Sequence, residues 1–105
     1  MSEVWVGYVE VRQLPGSDHQ VTLSGKGAYT WITCWAKNAT RYEERVKKVM
    51  GEYGLFVVGI ENAMPFAEFE KTRTASDELF DQRERTSADE NFTIFGTLHN
   101  YMTDN

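Results

Sequence analysis

Cysteine is nearly missing from this chain of 105 residues. Cys34 stands alone, so no internal disulfide can form. With only two histidines, far apart in sequence, the familiar zinc clusters are also ruled out. No run approaches the ~18 apolar residues that a membrane span needs. The start, Met1-Ser2-Glu3-Val4-Trp5, has neither the basic residues nor the apolar core of a secretion signal, which predicts a cytoplasmic protein. Positive charge is in short supply as well. A net charge of −5 disfavours binding to a nucleic-acid backbone, which depends on clustered Lys and Arg. No nucleophile–base pair, paired carboxylate site or glycine-rich phosphate loop is visible, and Gly25-Lys26-Gly27 is too short to be one. These absences predict a protein without cofactor or metal, and a non-enzymatic one before an enzyme.

What is present describes one folded domain over residues 1–105, with 41% apolar and 26% charged residues. Val4 to Val11 alternates as a strand, with Trp5, Gly7, Val9 and Val11 opposing Val4, Val6, Tyr8 and Glu10. Leu14-Pro15-Gly16-Ser17-Asp18 stops it with turn chemistry, and 19–27 is expected to be a loop with a short strand at 20–23. The second strand, Ala28 to Ala36, has two unlike faces. Ala28, Thr30, Ile32, Cys34 and Ala36 are small enough for a helix to approach, and Cys34 reads as a small core residue. Tyr29, Trp31, Thr33 and Trp35 make the other face aromatic.

A helix is expected from Thr40, where Thr40 and Glu43 have capping-box spacing. Tyr42, Val46, Val49, Met50 and Tyr53 form its apolar stripe, and Gly54 ends it in a left-handed conformation. Leu55 to Ile60 is apolar on both faces, which predicts a central strand buried on both sides. Phe66 to Lys71 reads as a charged edge strand. Ser76 can cap a helix within 74–90, and 70–91 is either that short helix or a mobile connection. Phe92 to Tyr101 closes the fold as one strand, before a frayed tail at 102–105.

Residues 28–101 therefore run strand-helix-strand-strand-helix-strand. That order predicts an α+β, ferredoxin-like βαββαβ sandwich with an extra N-terminal strand, its antiparallel sheet carrying two helices on one face. The reverse face would then hold Tyr29, Trp31, Trp35, Phe95, His99 and Tyr101, an apolar area too large to stay bare on a soluble monomer. Three covers are conceivable: other parts of the chain, including the 70–91 connection; a second copy in a symmetric dimer; or a stacked aromatic ligand. The leading expectation is a small non-enzymatic binding domain that self-associates as a homodimer through this face, without nucleic acid or membrane.

Two alternatives remain. Residues 68–90 hold eight acids against four bases. Were that segment mobile, it would suit an immunity-like acidic antagonist of a basic toxin or nuclease. If it is instead a helix, the basic stripe Arg41, Arg45 and Lys48 is expected to lie alongside it. The second alternative is a small-molecule pocket or enzyme around His99 acting as a base. His19, beside Asp18 in the loop, is assigned nothing.

Overall fold

The alternating N-terminal segment becomes β1 (Glu3–Gln13), the strand around which the sheet is built. In the computed structural model, β1 pairs antiparallel with β2 (Gly27–Ala36), setting Tyr8 opposite Trp31 and Gly7 opposite Ile32. On its other side it pairs antiparallel with β3 (Leu55–Pro65), setting Val11 opposite Val57 and Val9 opposite Ile60. Residues 2–13 and 27–101 are described, the side chains of Asn100 and Tyr101 excepted. The expected turn at 14–18, the loop and short strand up to Lys26, His19 and the 102–105 tail lie outside the described residues.

α1 (Ala39–Glu52) carries the chain from β2 to β3, which lie on either side of β1. Its cap is Asn38, whose side chain accepts from the Arg41 N–H at 2.9 Å, and not the expected Thr40. Asparagine is the stronger cap, and it draws Thr40 into the first turn. The apolar stripe is borne out: Tyr42, Val46 and Met50 are buried against Val9, Ile32, Cys34 and Leu55. Gly54 follows with φ 81°, the left-handed residue that the sequence called for.

Two further helices depart from expectation. Residues 66–71, read as an edge strand, form α2 (Phe66–Thr72), in which Phe66 and Phe69 are both buried at three-residue spacing. α3 (Asp77–Ser87) follows, and Ser76 caps it as expected by accepting from the Leu79 N–H at 3.2 Å. Both pack on the face opposite α1: Trp31 meets Phe69, while its neighbour Ile32 belongs to the α1 core. Helices therefore cover both faces of the sheet.

The α+β class and the antiparallel sheet stand, and the ferredoxin-like arrangement does not. The order is β3-β1-β2-β4, so the N-terminal strand is central and no mere addition. β3, expected in the middle, is an edge strand among the described residues. Apolar content on both faces does not say which strands flank a strand, and β1 takes the middle despite carrying Glu10 and Arg12. The expected strand 92–101 divides into β4 (Thr93–Phe95) and β5 (His99–Tyr101), which pair with successive parts of β2. Between them the Gly96 N–H donates to the Trp31 carbonyl at 3.1 Å, and Thr97 turns to α3.

Candidate functional site

Alternation brings Tyr29, Trp31 and Trp35 to one face of β2, and the β1–β2 register adds Tyr8 to them. The rings form a continuous row. Phe69 meets Trp31 edge-on with centroids 5.3 Å apart, Trp31 meets Tyr8 at 4.8 Å, and Tyr8 stacks on Tyr29 at 5.3 Å with 10° between planes. Tyr8 was not among the expected site residues. Its alternation with Val4 and Val6 gave its face, but only the register sets it opposite Trp31.

α3 closes the tryptophan end of this row with a polar seam. The Trp35 indole N–H donates to the Thr86 carbonyl at 2.7 Å, and the Thr33 and Thr86 hydroxyls lie 2.7 Å apart. Gln82 donates through Nε2 to the carbonyls of Trp31 at 2.9 Å and Ile94 at 3.3 Å. The chain thus supplies its own cover for Trp31 and Trp35. The remaining expected residues divide. Phe95 sits opposite Ile32 on the α1 face and meets Tyr53 edge-on at 5.4 Å, because the 96–98 interruption breaks the parity counted from the sequence. His99 is exposed and lies opposite Tyr29. Tyr101 lies opposite Gly27, and its side chain is outside the described residues.

The titratable groups are mostly engaged in holding the fold. Glu78 accepts from the Thr97 N–H at 2.7 Å and its hydroxyl at 2.8 Å. These bonds, with a smaller contribution from His99, hold its carboxyl below the usual range. Burial pushes the Cys34 thiol up to about 12, against a smaller opposing pull from Arg45, so it is no nucleophile at neutral pH. Burial raises the Tyr42 hydroxyl too.

Acids of the 68–90 segment have partners: Glu70 pairs with Arg83 at 3.1 Å, Glu68 with Lys71 at 3.3 Å and Asp81 with Arg85 at 3.6 Å. Arg41, Arg45 and Lys48 do not lie alongside α3, because the sheet stands between the two helices. Arg45 instead donates to the Thr93 hydroxyl at 3.0 Å and to the carbonyls of Phe92 and Trp35, tying α1 to β4 and the end of β2. An open cleft of about 470 Å³ beside it is lined by Arg41, Lys48 and Asn91 but also by Glu44 and Glu52, so it has no single charge character. Among the described residues no group of three or more His, Cys, Asp or Glu is placed to hold a metal ion.

Among the described residues, two of the four exposed large apolar side chains lie together at the sheet edge. Phe56 and Val58 on β3 are 39% and 47% exposed. Leu55 to Val58 contains no charge, and β1 is the one strand paired with β3 among the described residues. The β1 register shifts at Val58, between Val57 and Gly59, and again between Glu61 and Met64, and Asn62 adopts φ 56°. Such bulges bend an edge away from incoming strands. The Leu55–Val57 ladder, opposite Gln13, Arg12 and Val11, is regular. No family model, curated protein or solved structure matches the chain. Among the described residues no helix is long and apolar enough to cross a membrane.

Proposed function

We propose that this protein is a small non-enzymatic interaction domain that self-associates, and that β3 is the contact. The observation that carries the reading is the uncharged stretch Leu55–Val58 at a sheet edge, with Phe56 and Val58 both exposed. Edge strands of soluble proteins are ordinarily protected by charge, proline, bulges or brevity. Leu55–Val57 has neither charge nor proline and belongs to a long strand, and its ladder with β1 is regular up to the bulge at Val58. The other exposed large apolar residues, Phe80 and Phe92, are single side chains away from the edge, which is ordinary for a surface.

The interface is thus displaced from the aromatic face first expected to the strand at its margin, since Trp31 and Trp35 lie under α2 and α3. Burying the exposed parts of Phe56 and Val58 removes on the order of 100 Å² of apolar surface per protomer, or roughly 2–3 kcal/mol at ~25 cal/mol per Å². Ladder hydrogen bonds add ~1 kcal/mol each. Association costs at least ~4 kcal/mol, so the homodimer is expected to be concentration-dependent. A cytoplasmic address suits the free Cys34 thiol, which is buried and unoxidised.

Light scattering across the micromolar range tests the reading. The mass should rise from monomer towards dimer with concentration, and Val58→Lys should hold the chain monomeric with unchanged circular dichroism. Trp31→Ala should destabilise folding before it affects association. A parent chain that stays monomeric throughout removes the reading.

A further inference from the structure

We infer that a basic cleft between the end of β2 and α1 binds a compact phosphate-type anion through Lys37, Arg41 and Arg45. The cleft has a volume of about 350 Å³ and is lined by these three residues with Ser2, Trp35 and Ala36. Its lining contains three bases and no acid. The mixed cleft described above shares Arg41 and Arg45 but adds Glu44 and Glu52 to them. The basic cleft is separate from the β3 edge, since β1 lies between β3 and β2 in the sheet.

Arg45 is the anchored member of the three. Its Nε donates to the Thr93 hydroxyl at 3.0 Å, and its terminal nitrogens donate to the Trp35 carbonyl at 3.4 Å and the Phe92 carbonyl at 3.3 Å. All three acceptors are neutral, and among the described residues no carboxylate pairs with this guanidinium. It is therefore oriented without being neutralised, and each terminal nitrogen keeps one N–H to donate. Little side-chain freedom is left for a ligand to remove. Lys37 is exposed and likewise has no ion-pair partner among the described residues. Arg41 meets Glu44 at 3.4 Å, but both side chains are mainly exposed, at 68% and 59%. An ion pair of that kind is weak and readily exchanged for another anion. The first turn of α1 supplies no acid to balance these charges.

The chemistry of the lining selects the ligand. Three cations are matched best by an anion with more than one charge and more than two acceptor oxygens, which describes phosphate better than a carboxylate. Size restricts it further, because the volume lies at the small end of ligand sites. The net charge of −5 does not oppose a small anion, since charges beyond about 10 Å are largely screened at 0.1 M salt. A nucleic-acid backbone would run on over the acidic surface and be repelled there. Inorganic phosphate and a small phosphate monoester share the chemistry that remains.

Titration of the full chain with sodium phosphate, at an ionic strength held constant with sodium chloride, tests the site. The readout is the Arg45 Nε–H signal in a proton–nitrogen spectrum, identified by its loss in Arg45→Lys. Phosphate should shift it saturably. Lys37→Ala and Arg41→Ala, whose side chains tie no two elements together, should each weaken phosphate by up to about fivefold. Lys48→Ala, outside the basic cleft, should leave the midpoint unchanged. Phenyl phosphate in the same titration distinguishes the source: tighter binding than inorganic phosphate assigns an ester, and weaker binding assigns the free ion. A signal that phosphate moves no more than chloride does overturns the site, and so does an unchanged midpoint when Lys37→Ala and Arg41→Ala are combined. Neither result bears on the mass measured by light scattering, so the site and self-association fail separately.

Discussion

Gly7 is a sharp test of how α1 sits on the sheet. It lies on central β1 opposite Ile32, and the Tyr42 hydroxyl donates to the Ile32 carbonyl at 2.7 Å directly above it. A methyl group at position 7 would stand 2.7 Å from the Tyr42 hydroxyl oxygen and 2.9 and 3.0 Å from two ring carbons. Tyr42 is fully buried and stacks beside Trp5 with centroids 6.2 Å apart, so its ring has little freedom to swing away. Either the helix lifts from the sheet or the hydroxyl loses its acceptor. Overpacking of this kind costs ~1–3 kcal/mol, and a buried hydroxyl without a partner adds ~1–3 kcal/mol. The gain from restricting the unfolded chain returns only ~0.4–1 kcal/mol. Gly7→Ala should therefore lose roughly 2–4 kcal/mol, a large part of a small domain's stability. Urea unfolding followed by tryptophan fluorescence reads the loss as a lower midpoint at unchanged slope. Tyr42→Phe removes the nearest atom, so the double variant should lose less than the two single losses added together. A Gly7→Ala midpoint within ~0.5 kcal/mol of the parent, or strict additivity, would refute the close contact.

Two further outcomes follow from buried groups. The Cys34 thiol titrates at about 12 in the fold against an ordinary 9.0, so the native state holds the proton more tightly. Its contribution is complete below pH 9.0 and is lost as pH rises towards about 12. Urea midpoints should fall over that alkaline window, and fall less steeply in Cys34→Ala; equal slopes would show that the thiol is not shielded. Thr33→Val and Thr86→Val should each cost ~1–3 kcal/mol by orphaning a buried hydroxyl, whereas the double variant should recover part of the loss. Additive losses by the same measurement would mean that the 2.7 Å pair is not formed.

The parts of the fold legible in the sequence are those decided locally. The two unlike faces of β2, the stripe of α1, the Gly54 stop and the Ser76 cap each depend on residues within a turn or two of one another. Residues 66–72 were illegible for the opposite reason. Phe66 and Phe69 with charges between them fit a helix at three-residue spacing, and seven residues are too few to exclude an alternating strand. That misassignment carried a topological cost. A helix read as a strand shifts the second crossover, and with it the face on which α3 is placed. The candidate site suffered similarly. Tyr8 and Trp31 lie 23 positions apart and meet only through the β1–β2 register. Phe95 and His99 share a parity that the Gly96-Thr97-Leu98 interruption destroys.

β3 was misplaced for a more instructive reason. Its first residues read as buried on both faces because their composition is that of a buried strand, yet the described residues cover only part of them. The two margins of the sheet are also treated differently. The β4/β5 side is made of strands of three residues each, too short to template another chain, whereas β3 runs for eleven. Within β3 the protection is uneven too. Glu61, Asn62 with its positive φ, and Pro65 guard the second half, whereas among the described residues Leu55–Val57 has only the bulge at Val58 beside it. If this stretch worked in water, a lysine at 58 would be harmless or mildly protective. If it works against another strand, the same lysine must be desolvated against that strand and will drive the copies apart. Val58→Lys therefore leaves the mass unchanged while solubility holds or rises in the first case, and lowers the mass towards the monomer in the second, which separates an unguarded edge from an interface.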